Sequence, residues 1–322
     1  MTQKIKVGIV GGAGYTGGEL LRILLRHPHA EIAYIHSKSA AGKPVYTIHQ
    51  DLLGETDLHF TENFLLTTDV VFLCLGHGEA RGFVAGNDTI LQSKVIDLSQ
   101  DFRDETNGFV YGLPELQKDR IKSANHVANP GCFATAIQLA LLPLAKNGLL
   151  DSEIHVSAIT GSTGAGQKPT ESTHFSWRSG NISVYKAFTH QHLKEIRQSL
   201  AHLQPDFTGK INFIPYRGNF TRGILASVYT RFEGDLQEAK NLYRDFYQHH
   251  PFTHVSEFET DVKQVMNTNK CLLHLEKHDN QLLITSVIDN LTKGASGQAV
   301  QNMNLMFGLD EKAGLDLKPV AF

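Results

Sequence analysis

The chain has 322 residues, 41% of them hydrophobic and 20% charged, a length that at about 100 to 200 residues per domain predicts two ordinary domains with room for real cores. The 30 Lys+Arg against 33 Asp+Glu leave a formal net charge of −3. No basic run stands out, which argues against nucleic acid as a partner, because phosphate backbones are gripped by clustered cations.

No stretch approaches the roughly 18 consecutive apolar residues of a membrane span, and the N-terminus enters a buried-strand pattern within six residues rather than a signal peptide. No membrane partner and a cytoplasmic location are therefore expected. Cys74, Cys132 and Cys271 are odd in number and widely spaced, a pattern for neither a disulfide framework nor a zinc site, so no metal is expected. An odd count also raises the question of whether one thiol is present for its reactivity.

In chain order, Ile5 to Val10 is a short apolar run that ends in Gly11-Gly12-Ala13-Gly14-Tyr15-Thr16-Gly17-Gly18, followed by helix-spaced Leu20, Leu21, Ile23, Leu24 and Leu25. That is strand, glycine turn, helix. Ile32 to Ile35 closes a βαβ unit, and Val70 to Leu75 and Val95 to Leu98 read as further buried parallel strands, so the first ~130 residues are expected to be doubly wound. Beyond Pro130 the pattern changes to a helix over Ala134 to Leu144 and strands over Glu153 to Ile159, Lys210 to Pro215 and Ile224 to Arg231. This half predicts an α+β layer with an antiparallel sheet. Gly161 to Gly180 reads as a long polar loop, Leu282 to Ile288 as a strand and Gly297 to Phe307 as a helix.

The glycines Gly11, Gly14 and Gly17 lie where a dinucleotide fingerprint belongs, between a first strand and a first helix. Residues without Cβ there let backbone approach a pyrophosphate, and the N–H groups of Tyr15 and Thr16 open the helix N-terminus. The end of the second strand carries His36-Ser37-Lys38-Ser39 instead of the carboxylate that holds the ribose hydroxyls of NAD. Ser37 and Lys38 therefore favour NADP, the alternative being that Lys38 is a solvated loop residue.

Cys132 follows Asn129-Pro130-Gly131 and opens an apolar helix, a place where the positive helix end activates a thiol. It is the candidate nucleophile, whereas Cys74 and Cys271 sit in apolar strand patterns and read as core. His190-Gln191-His192, followed by Glu195 and Ile196, offers acid-base partners. Two imidazoles at i and i+2 on a helix face different ways, so at most one is expected to reach Cys132. Gly161-Ser162-Thr163-Gly164-Ala165-Gly166 is a second glycine-rich segment whose N–H groups could nest an anion, or a plain connector. Arg103 and Arg222 are candidate forks for phosphate or carboxylate.

These segments together resemble the N-acetyl-γ-glutamyl-phosphate reductases, a family within the aspartate-semialdehyde-dehydrogenase-like enzymes. The likeness runs through Gly11 to Leu20, Asp97 to Arg103, Tyr111 to Glu115, Asn129 to Cys132, Gly164 to Gly166, Thr221 to Leu225 and Asp289 to Ala299. It implies an α/β fold, with a Rossmann doubly wound parallel sheet that binds NADP, residues 1–131 plus 291–322, and an inserted α+β catalytic and dimerisation domain, residues 132–290. It implies Cys132 as nucleophile and His190 as the acid-base residue. Gly164 and Asn290 are implied on the cofactor side, and Asn129, Ser162, His192, Arg103 and Arg222 on the substrate side.

The implied reaction is NADPH-dependent reductive dephosphorylation of N-acetyl-γ-glutamyl phosphate to the semialdehyde in arginine biosynthesis. A cysteine thioester carries it, inorganic phosphate is released, and the enzyme is a homodimer or homotetramer. Three departures concern substrate contacts: Gln191 stands where Arg is usual, Gln167 where Arg or Lys is usual, and Pro215 to Phe220 replaces a Pro-His-Leu stretch. With Lys168 and Arg217 as compensating cations, an N-succinyl or other acyl phosphate stays open as the substrate. A related aspartyl- or aminoadipyl-phosphate enzyme and a non-catalytic NADP-binding sensor stay open as well.

Overall fold

The computed structural model describes residues 4–64 and 67–320. The chain divides into two compact units, Met1–Pro130 with Ala295–Asp316, and Gly131–Gly294 with Leu317–Phe322. Compared with the expected division, Gly131, residues 291–294 and the tail after Asp316 fall with the second unit.

The first unit begins with β1 (Ile5–Val10), α1 (Tyr15–Leu24) and β2 (Ala30–His36), and continues through β3 (Phe60–Thr61), β4 (Val70–Leu73), α2 (Ala80–Gly86) and β5 (Lys94–Asp97). It then adds β6 (Phe109–Tyr111), α3 (Pro114–Ser123) and β7 (His126–Ala128). The seven strands pair in the order β3-β2-β1-β4-β5-β7-β6, and every pairing is parallel. Parallel strands need crossover helices that cover both faces, which is why β4 reads Val-Val-Phe-Leu without alternation and is buried at all four positions. On one face Tyr34, Val71, Leu73 and Val95 pack with Ala80 and Val84 of α2.

The second unit contains α4 (Cys132–Lys146), β8 (Ile154–Thr160), α5 (Phe175–Arg178), β9 (Ser183–Val184), α6 (His192–Leu203) and β10 (Ile211–Arg217). After these come β11 (Ile224–Arg231), α7 (Leu236–Tyr247), β12 (Thr253–Ser256), β13 (Cys271–His278) and β14 (Gln281–Ile288). The chain then returns to the first unit as α8 (Gly297–Met306), which packs against α1 and α3. The second sheet runs β12-β13-β14-β11-β8-β10-β9. It is mixed rather than antiparallel as expected, because β10 joins β8 in parallel and β12 joins β13 in parallel. The connection from β8 to β10 passes through α6 and is long enough for the crossover that a parallel pair demands.

This sheet buries one face only. Along β8, β10, β11 and β13 fully buried positions alternate with half-exposed ones. The buried set, including Val156, Phe213, Ala226 and Leu273, lies on the face that carries α4 and α7. The opposite face presents Ile159, Ile214, Leu225, Tyr229, Leu272 and Leu283, brought side by side by the strand registers, and none of these is fully buried.

Helix α4 is apolar on nearly every side and is buried from Phe133 to Ala145. It keeps Pro143 in its interior, which deprives the Leu139 carbonyl of its usual donor. Tyr247 of α7 supplies the replacement, its hydroxyl donating to Leu139 O at 2.5 Å, and the Tyr243 hydroxyl donates to Ala140 O.

The polar stretch after β8 is not a bare loop. Short 3₁₀ turns at Ser162–Ala165 and Glu171–Thr173 precede α5. The Arg178 guanidinium donates to the carbonyls of Ser172, Asn181 and Arg217 and to the Ser183 hydroxyl at 2.6 to 3.3 Å. A hub of buried hydrogen bonds does the work that apolar packing does elsewhere.

Candidate active site

In the first unit the glycine turn is shaped by what a side chain would strike. Gly11 has φ +81°, and a Cβ on it would lie 2.5 Å from the Cys74 carbonyl oxygen. A Cβ on Gly17 would lie 2.6 Å from the Gly12 backbone. Above Gly14 the nearest atom to such a Cβ is 3.7 Å away, so that position is open. Gly14 is also the N-cap of α1, extended and with no side-chain cap, which leaves the Tyr15 end of the helix without the usual hydroxyl or carboxylate acceptor. The Gly11 and Gly12 N–H groups donate to His36 O, tying the turn to the end of β2. There Ser37 is buried and Lys38 exposed.

Cys74 lies just past the end of β4, and burial lifts its thiol to about 12 against a hydrogen bond from Thr16. Arg103 is buried and donates to Asn129 O at 2.9 Å and Leu98 O at 3.3 Å. The Asn129 side chain donates to Ala295 O and accepts from Asn302.

In the second unit Cys132 is the first residue of α4, directly after the N-cap Gly131. Its neighbour Phe133 is met edge-on by His190 at 5.6 Å, His192 at 6.2 Å and Phe213 at 5.3 Å between ring centroids. The two histidines, expected to diverge, instead touch each other at 4.6 Å. The reason is local: α6 begins at His192, so His190 precedes the helix and the helical angular step does not separate them.

The His190 ring is pushed down to about 4 by burial, then by the charges of Lys186 and Arg217, so it is neutral at pH 7. Its Nδ1 accepts from the His192 N–H at 3.3 Å, which leaves the proton of the neutral ring on Nε2. Tyr185 borders both groups: its ring lies 5.7 Å from His190, the Arg217 guanidinium stands 4.6 Å over it, and burial followed by the charge of Cys132 raises its hydroxyl to about 12. Glu195 of α6, itself buried, accepts from the Gly131 N–H at 2.9 Å. Gly294 presses from another side, where a Cβ would lie 2.8 Å from Cys132 Cβ.

A separate cluster gathers Arg222 and Asn290. Arg222 grips the fully buried Asp289 with two donors at 3.0 and 3.1 Å and reaches the Thr292 hydroxyl. Asp289 also accepts from the N–H groups of Leu291, Thr292 and Asn267. Asn290 accepts from Gly223 N at 2.7 Å and donates to the Thr163 hydroxyl. The N–H groups of Gly161, Ser162, Thr163, Gly164 and Gly166 all donate to main-chain carbonyls. The expected anion nest at this segment is therefore closed: the N–H groups of Gly161, Ser162 and Thr163 pair with Gly223, Phe220 and Thr221, and those of Gly164 and Gly166 close turns on Gly161 and Thr163.

Sequence reasoning named Cys132, His190 and His192 but expected at most one of the two histidines to reach the sulfur, whereas both rings pack on the adjacent Phe133. It missed Tyr185 and Gly294, and it did not see that Glu195 caps the cysteine helix. Those roles arise from long-range pairing that spacing along the chain does not encode. Among the described residues no group of three His, Cys, Asp or Glu could hold a metal ion.

Residues 6–124 match the semialdehyde dehydrogenase NAD binding domain and residues 132–290 the semialdehyde dehydrogenase dimerisation domain, so the chain belongs to the semialdehyde dehydrogenase family of oxidoreductases. Within that family it is 59% identical to the N-acetyl-gamma-glutamyl-phosphate reductase of Christiangramia forsetii, over 98% of each chain. It is 57% identical to that of Parabacteroides distasonis, over 99% of this chain and all of the other. Among solved structures it is similar to aspartate semialdehyde dehydrogenase II of Vibrio cholerae, with a TM-score of 0.76 at 18% identity over 95% of this chain and 99% of that one. The Candida albicans aspartate semialdehyde dehydrogenase solved with NADP gives 0.71 at 14% identity, over 97% and 99%. These two likenesses concern the fold.

Proposed function

We propose that the chain catalyses the NADPH-dependent reductive dephosphorylation of N-acetyl-γ-glutamyl phosphate to N-acetylglutamate 5-semialdehyde in arginine biosynthesis, through a thioester on Cys132. The observation that carries the reading is the placement of Cys132 at the first turn of α4, with the neutral His190 ring packed on the adjacent Phe133.

The glycine turn fits a dinucleotide. Gly14 is open and caps α1 without a side chain, so Tyr15, Thr16 and Gly17 would offer N–H groups to a pyrophosphate. Ser37 and Lys38 would take the 2′-phosphate, which makes the cofactor NADP rather than NAD. Gly164, which is exposed, and Asn290, which is buried with its amide engaged within its own unit, are the proposed cofactor-side residues of the second unit. When bound, NADPH supplies the hydride that takes the thioester to the aldehyde level.

The rest falls to the chain's own residues. Cys132 sulfur attacks the acyl carbon, and the C–O bond to phosphate breaks with its electron pair on phosphate. N–H groups at the start of α4 face the oxyanion, with that of Gly131 already committed to Glu195. His190 takes the thiol proton on Nδ1, which gives up the His192 N–H to do so because Nε2 already carries the ring's proton, and returns it as the sulfur leaves the aldehyde carbon. Arg103, Asn129, Ser162, His192 and Arg222 are the proposed substrate-side residues, with Arg103 and Arg222 held in fixed poses by the contacts described above.

The cytoplasm, where a nicotinamide-dependent biosynthetic step draws its cofactor, is the proposed location. Among the described residues no helix is long and apolar enough to cross a membrane. The proposed assembly is a homodimer or homotetramer, with the open apolar face of the second sheet as the surface a second copy covers.

Cys132→Ser tests the reading. NADPH affinity, followed by fluorescence titration, should stay within about twofold of native. Phosphate-dependent NADP reduction with N-acetylglutamate semialdehyde should fall at least ~10³-fold. Substantial turnover in this variant would remove the covalent step. Running the native assay with the N-succinyl semialdehyde alongside assigns the acyl group.

A further inference from the structure

Helix α4 is capped by a residue that is not its own. Gly131, its N-cap, has no side chain, and the Oε2 atom of Glu195 accepts the Gly131 N–H at 2.9 Å from the first turn of α6. Glu195 is only 6% exposed, and its Oε1 atom lies 3.9 Å from Nε2 of His192. One buried side chain therefore joins the peptide that carries Cys132 to the segment that carries both histidines.

This arrangement has an electrostatic side. A helix N-terminus lowers the pKa of a thiol placed on it, through the partial positive charge of its N–H groups. A carboxylate set into the same N-terminus opposes that effect. The other groups around Cys132 have been identified: Tyr185 and His190 from the segment before α6, His192 on α6, and the Gly294 turn, whose Lys293 ammonium stands 6.0 Å from the Phe252 ring. Lys186 and Arg217 act on His190. Of these, Glu195 alone hydrogen-bonds the residue preceding the sulfur.

We propose that Glu195 is a positioning residue for Cys132, fixing the Gly131–Cys132 peptide and holding the thiol protonated at rest until His190 takes its proton. The proposal rests on Cys132 being the nucleophile and adds to that reading a control on when the sulfur is charged. A resting thiol beside a neutral imidazole differs from a preformed thiolate–imidazolium pair. It protects the sulfur from oxidants and alkylators between turnovers, because the thiolate is the reactive form.

The experiment follows alkylation of Cys132 by iodoacetamide against pH in the full-length protein, with peptide mass spectrometry separating Cys132 from Cys74 and Cys271. Glu195→Gln keeps an oxygen for the Gly131 N–H and removes the charge. The midpoint of its alkylation profile should fall by about one pH unit, so that alkylation well below the midpoint speeds up about tenfold. Glu195→Ala removes both functions; it should show the same shift and a kcat loss of at least ~10²-fold with KM changed far less.

An unchanged alkylation profile in Glu195→Gln would overturn the proposal, and so would native kcat in Glu195→Ala. If the Ala variant does not fold, the Gln profile decides alone. Alkylation requires no acyl phosphate, so it separates the two readings. Turnover surviving in Cys132→Ser would end the catalytic reading while leaving the measured influence of Glu195 on the sulfur in place.

Discussion

The two seven-stranded sheets have the same strand number and opposite surroundings. The all-parallel sheet of the first unit is closed on both faces, so its middle strand β4 carries a buried apolar residue at every position. The mixed sheet of the second unit is closed on one face, and its strands alternate buried and half-exposed residues. The contrast shows that strand direction decides how a sheet is covered. Parallel connections bring their own helices, whereas hairpins such as β13–β14 leave a face for something else.

The largest expected effect lies in the closed sheet. Phe72 on β4 is fully buried, and Phe72→Ala should lower unfolding free energy by about 3 to 5 kcal/mol in a urea titration. A loss below about 1 kcal/mol would mean that this sheet is not covered on both faces.

An intermediate effect concerns a charge at the end of the same sheet. Burial first of all lifts the Asp97 carboxyl to about 6 from the usual 3.8, while Ser99 and Arg103 pull it down. The folded group holds its proton more tightly than the unfolded one. Its stabilising contribution is thus complete below about pH 3.8 and is lost as pH rises through about 6. Asp97→Asn should therefore stabilise the protein by about 1 to 3 kcal/mol at pH 8, with the gain shrinking toward pH 4. A gain that is independent of pH, or a loss at pH 8, would refute the assignment.

The smallest effect on stability, and the most telling about the open sheet, is expected at Tyr229. It is 41% exposed and stacks on His155 at 4.8 Å. Tyr229→Lys should cost about 0.5 to 1 kcal/mol in unfolding. In sedimentation, however, it should shift the assembly toward single chains, because the charge is placed in a face proposed to be covered by a second copy. A native protein that already sediments as one chain would leave the open face without that explanation.

Much of this was legible in the sequence where a local rule had only one solution. The turn from Gly11 to Gly17 could be read because Cβ atoms at Gly11 and Gly17 would strike backbone. Helix α4 could be read because eleven apolar-rich residues after Gly131 allow little else, and Cys132 was placed at its head correctly. The antiparallel expectation for the second sheet failed because pairing of β8 with β10 joins residues more than fifty positions apart. The open face was hidden because Ile214 and Leu225 have the same composition as a core position; only the register shows which side they face. The His190–His192 contact was misread by a helix boundary placed two residues early.

The knot around Arg178 carries a consequence for how this stretch of chain can change over generations. Four of the five bonds that its guanidinium makes end on main-chain oxygens, at Ser172, Asn181 and Arg217. Every amino acid brings such an oxygen, so substitutions around the knot leave the acceptors of those four bonds intact. Lineages can therefore rewrite the side chains between Ser172 and Ser183 extensively and keep the same path, provided that the one arginine is inherited.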